Sequence, residues 1–160
     1  MNAGAVPLLL LAGAIGFALA FQTMRAASLS AAAAITTALI MALAPIPQRF
    51  DQVITVGLLL STLATAALVF LPANLRKLMV LAAAINGGAW MGAAASASSL
   101  KGELAAALPL TLLFIPGKWL TSRGYDIVIK VLSSWLVAIA ALGMFVSLLP
   151  TPGYEADHME

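Results

Sequence analysis

The chain has 160 residues, of which 62% are hydrophobic and 9% charged, with a formal net charge of +2. A soluble domain is about 45–50% apolar and about 25% charged, so a water-soluble fold would lack the charge to cover its surface. The class implied is a single all-α integral membrane protein. The absence of cysteine excludes disulfides, thiolate metal sites and cysteine nucleophiles. The pI of about 9.3 does not point to nucleic acid, because the positive charges are spread over short loops with no basic cluster.

In chain order, the opening apolar run MNAGAVPLLLLAGAIGFALAF has no Lys or Arg before it. It reads as a transmembrane helix and not as a secretory signal, which carries a positive n-region. This first helix is expected from about Pro7 to Met24, with Pro7 suited to a first turn. Gly13 and Gly16 leave a side where another backbone can come close. The second helix, from about Ser28 to Ala44, is stopped by Pro45-Ile46-Pro47. With a connection of about three residues, the first two helices are expected to form an antiparallel hairpin.

The third helix, from about Asp51 to Leu71, carries about twenty residues without a charge after Asp51, enough to cross a bilayer. Asp51 sits where a helix cap belongs, at the positive end of the macrodipole. Ser61, Thr62 and Thr65 fall on overlapping faces, placed for bonds across a helix interface.

The fourth helix, from about Leu78 to Ala97, contains Ile85-Asn86-Gly87-Gly88-Ala89-Trp90-Met91-Gly92. Asn86 is a strongly polar side chain near the bilayer centre, where an unpartnered amide costs several kcal/mol. Gly87 and Gly88 each weaken the helix by about 1 kcal/mol relative to Ala. Two readings stand side by side. Gly88 and Gly92 form a small-xxx-small spacing with Asn86 as interhelical glue, or the helix is broken there and presents Asn86 and free backbone groups to a solute.

The fifth helix runs from about Glu103 to Leu120, with Pro109 inside it and Pro116-Gly117 near its end, so a bend is expected. Lys118 and Trp119 suit a membrane-interface anchor, the alternative for Lys118 being solute binding. The sixth helix, from about Asp126 to Leu149, repeats the third. Phe50-Asp51-Gln52-Val53-Ile54-Thr55-Val56 lines up with Tyr125-Asp126-Ile127-Val128-Ile129-Lys130-Val131, and both stretches run on to Leu-Pro. Residues 151–160 read as a polar tail.

Six of the eight basic residues, Arg25, Arg76, Lys77, Lys118, Arg123 and Lys130, fall in or beside the first, third and fifth connections. By the positive-inside rule that side is cytoplasmic. Both termini are then expected outside the cytoplasm of a cell membrane, here that of a bacterial inner membrane. Residues 1–150 form one polytopic domain, with units 1–72 and 73–150 expected as a 3+3 inverted repeat.

Inverted repeats are common in transporters, with the site near the midplane where the copies meet. The expected substrate-binding residues are therefore Asn86, Gly87 and Gly88 facing Gly13 and Gly16. No span carries a carboxylate in its middle, so the fitting cargo is a small neutral solute or an anion held by backbone N–H groups. The alternative is a non-catalytic subunit of a larger membrane complex. An enzyme is not expected: Ser133 or Ser134 beside Lys130 is the sole conceivable nucleophile with a base, and convergent His, Cys or carboxylate groups are lacking. No metal and no cofactor is expected. The expected partners are the lipid bilayer and either copies of the chain or other membrane subunits, and no nucleic acid.

Overall fold

The computed structural model describes residues 5–97 and 101–148. These are helical almost throughout, with no strand among the described residues. The helices are α1 (Ala5–Ala20), α2 (Met24–Ala42), α3 (Asp51–Ala67), α4 (Ala73–Ala97), α5 (Lys101–Ala107), α6 (Phe114–Ser122) and α7 (Asp126–Leu148). A 3₁₀ segment, Leu108–Leu113, joins α5 to α6. Among the described residues, five stretches are long and apolar enough to cross a bilayer, namely α2, α3 with its 3₁₀ ends, α4, the α5–α6 unit and α7. α1 is apolar but shorter.

α1 is the centre of the bundle. Its hydrophobic residues point in every direction, which is the pattern of a helix enclosed on all sides, and Leu8, Leu11, Ile15 and Leu19 are fully buried. A helix of 16 residues spans about 24 Å, less than the roughly 30 Å hydrocarbon layer. Enclosure by protein removes the need to match lipid. α3, α4, the α5–α6 unit and α7 all pack on it.

The contacts give the direction of each span. α1 and α4 run antiparallel, since Phe21 meets Arg76 while Ile15 meets Gly87. α2 and α4 run parallel, since Gly88 lies on Ala34 and Gly92 on Ala38. α1 and the fifth span run parallel, with Gly16 on Leu110 and Ala20 on Gly117. α3 opposes α4, with Ser61 bonded to Asn86 and Gly57 under Trp90. The order is therefore up and down throughout, with α1, α3 and the fifth span in one sense.

Of the two readings of α4, the packing one matches the structure, and the expected hairpin of the first two helices is corrected. α4 is one unbroken helix through Asn86, Gly87 and Gly88. Its glycines are spent on close approach: a Cβ on Gly88 would strike the Ala34 carbonyl oxygen, and one on Gly92 the Ala38 carbonyl oxygen. Packing against a second helix compensates for their poor helix propensity. The first two helices do reverse direction at Phe21–Thr23, where the Thr23 hydroxyl accepts from the Ala26 N–H. They do not pair as a hairpin, however; α2 lies chiefly along α4. Beyond α2, next to the prolines, the Ser96 hydroxyl of α4 donates to the Ala44 carbonyl, and the Ile46 N–H donates to Ser96 Oγ at 3.4 Å.

Ile127, Trp135, Leu142, Phe145 and Val146 of α7 are exposed. An apolar outer face of this extent suits contact with lipid. The residue 151–160 tail and the Ser98–Leu100 part of the polar turn lie outside the described residues.

Candidate functional site

The five residues singled out from the sequence do not gather into one cavity. Gly87 lies on α1, where its Cβ would meet Ile15 at 2.7 Å and Leu11 at 3.5 Å. Gly88 faces α2. Gly16 faces the fifth span, where a Cβ would stand 2.7 Å from the Leu110 carbonyl oxygen and 3.0 Å from the Leu113 Cβ. Gly13 is buried, yet a Cβ there would meet nothing within 4 Å. Asn86 is exposed on the flank of α4, and its Nδ2 donates to Ser61 Oγ of α3 at 2.8 Å.

The break in helical geometry falls in the fifth span. Pro109 lacks the N–H an α-helix would use, and six residues, Leu108–Leu113, adopt the tighter 3₁₀ winding instead. This segment lies near the middle of the span, against α1 at Gly16. Thr111 is fully buried there, its hydroxyl donating to the Leu108 carbonyl at 2.7 Å. The Leu110 and Thr111 carbonyl oxygens are the fifth span's nearest backbone atoms to Gly16. The bend expected from Pro109 falls on this segment, whereas the expected site residues lie on α4 and α1. The signal for the segment itself was the pair Pro109 and Pro116, seven positions apart.

The end of the bundle at the α1 C-terminus is polar and basic. Lys118 Nζ donates to the Gln22 carbonyl at 2.6 Å, and Gln22 Nε2 donates to the Arg76 carbonyl at 3.4 Å. The Arg76 guanidinium stands 4.6 Å over the Phe21 ring, with Asp126 near enough for its charge to act on it. A cation at the carbonyl end of α1 is favoured by the macrodipole. Lys118 is thus turned inward as a clasp between α1 and α6, not extended to headgroups as expected. Trp119 beside it is exposed, with the Arg123 guanidinium 4.2 Å over its ring.

Ser133 is sealed inside the bundle while Lys130 is exposed, and the Ser134 hydroxyl donates to the Val131 carbonyl. No hydrogen bond joins the lysine to either serine among the described residues. Nor, among those residues, do three His, Cys, Asp or Glu side chains gather to hold a metal ion. No family model matches the chain, and neither the curated proteins nor the solved structures give a match.

Proposed function

We propose that the chain is a multi-pass permease, or the membrane component of one, for a small neutral or anionic solute, with the seam between α1 and the fifth span as the solute-contacting region. The observation that carries this reading is the proline-set 3₁₀ segment laid on Gly16 in the interior of the bundle. Interrupted helices at mid-membrane supply backbone groups to a solute where they are shielded from lipid. The basic and acidic side chains of the described residues sit near the span ends, which favours cargo without a strong positive charge.

Paired contacts support the 3+3 inverted repeat that such a carrier uses. Gly16 abuts the Leu110 carbonyl as Gly88 abuts that of Ala34, and Ala20 meets Gly117 as Gly92 meets Met41. The spacing is constant: 72 positions separate Gly16 from Gly88 and Ala20 from Gly92, and 76 separate Ala34 from Leu110 and Met41 from Gly117. Ile15 and Gly87, also 72 apart, touch each other, as residues beside a two-fold axis do. Two halves related in this way have inward-open and outward-open states of nearly equal energy.

The test is flux into liposomes carrying the full chain, over a panel of small neutral solutes and small anions. At least one solute is expected to enter faster than into protein-free vesicles. Gly13→Ala should retain that flux and Gly16→Ala should lose most of it. Flux equal to that of empty vesicles across the panel, with the protein folded, would defeat the proposal. A second reading, a non-catalytic subunit of a larger membrane assembly, draws on the outward-facing Asn86 amide. Foreign proteins retained through purification in mild detergent would favour it.

A further inference from the structure

We propose that the α4 flank carrying Asn86 is the docking surface for a second copy of this chain, the two packed about a two-fold axis that passes beside Asn86. Asn86 lies close to half-way along α4 (Ala73–Ala97), about 17–20 Å from either end at 1.5 Å per residue. It is exposed there, and only its Nδ2 is engaged, by Ser61 Oγ. Its Oδ1 has no hydrogen-bond partner among the described residues. At that depth no water is at hand, and an unpaired amide group facing hydrocarbon costs several kcal/mol. Something polar must therefore meet it.

The surroundings specify the occupant. A shallow groove of about 270 Å³ runs beside the amide, lined by Met41, Asn86, Ala89, Trp90 and Ala93. Ala89, half-buried three positions after Asn86 on the same face, is small enough to let another helix come close, and Ala93 is buried at the floor of the groove. Ala82 and Ile85 extend the exposed part of that flank. It carries no charge, so two copies do not repel. Across a two-fold axis a residue beside the axis meets itself. A primary amide is self-complementary in that position: each Nδ2 has a second hydrogen to give and each Oδ1 has lone pairs to accept it. A second copy thus supplies the missing partner with no further residue required. The proposal is independent of the permease reading.

The absence of native cysteine allows a direct test. A single Ala89→Cys chain in native membranes is expected to form a disulfide or short-linker dimer, whereas Phe145→Cys on the outer face of α7 is not. In mild detergent the wild type should run as a dimer. Asn86→Ala and Asn86→Leu should weaken dimerisation roughly tenfold or more while keeping helical circular dichroism. The proposal is overturned by a monomer with no Ala89→Cys crosslink, by a dimer that either substitution leaves intact, or by retention of a foreign protein in place of the second copy. The Ala89→Cys experiment keeps Asn86, so it decides the matter even where both Asn86 variants fail to fold. Flux measured on the same variants is a separate readout, because loss of the dimer with flux retained sinks neither reading of the bundle interior.

Discussion

Gly13 and Gly16 sit one turn apart on the same buried helix, and the structure gives them opposite expectations. A Cβ at Gly13 meets nothing within 4 Å, so Gly13→Ala only removes the backbone entropy cost of glycine, a gain of about 0.5–1 kcal/mol. At Gly16 the new atom meets the Leu110 carbonyl oxygen at 2.7 Å and the Leu113 Cβ at 3.0 Å. A backbone oxygen cannot swing aside as a flexible side chain can, so the fifth span must move off α1. Overpacking of this kind costs on the order of 1–3 kcal/mol. Unfolding midpoints of the two variants in mixed detergent micelles should therefore shift in opposite directions from the wild type. Equal shifts would mean that the seam at Gly16 is not closed. Sequence alone could not separate these two glycines, because both occupy plausible close-approach positions. What separates them is which neighbour stands opposite, and that is a property of the assembled bundle.

At the scale of elements, helix existence and type were legible, because each apolar run is bounded by chemistry that stops helices. Pro45 and Pro47 follow α2, Asp51 opens α3, Pro72 precedes α4 and Asp126 opens α7. The pairing of elements was less legible. A short connection dictates reversal of direction but not which neighbour a helix packs on, and α2 has its Ala34 and Ala38 stripe matched by Gly88 and Gly92 far along the chain. Span five shows what a proline can do that a bend angle does not describe. Winding six residues at three per turn instead of 3.6 adds about 3 Å of length and roughly 120° of rotation. That rotation sets which side of α6 meets α1, bringing Gly117 onto Ala20 and Lys118 onto Gln22. A chain carrying Ala20→Cys and Gly117→Cys is expected to crosslink, because the two β-carbons would sit side by side and need only relax to disulfide spacing. Adding Pro109→Ala should permit regular α-winding, turn α6 away and slow that crosslink strongly at unchanged helix content. An unchanged rate would show that Pro109 does not set the phase of the fifth span.

For the whole molecule, the up-and-down order and the charge distribution make a joint statement about placement in a membrane. The contacts gather Phe21, Gln22, Arg76 and Lys118 at one end of the bundle, with Lys77 and Arg123 in the neighbouring segments. Arg49 and Asp51 lie at the opposite end, beyond α2 and at the start of α3. With Lys and Arg concentrated at the first end, the positive-inside rule predicts that this end faces the cytoplasm. Because the chain has no thiol of its own, single cysteines report position without background. In intact cells an impermeant maleimide is expected to label Gln48→Cys and Arg49→Cys but not Lys77→Cys or Arg123→Cys until the membrane is opened. The reverse pattern would leave the order of spans intact and invert the molecule in the bilayer. Labelling of Arg49→Cys and Lys77→Cys from the same side would be more damaging, because α3 would then not cross. The two halves of the proposed inverted repeat would then not face opposite ways, and a mechanism that alternates between them would have nothing to alternate.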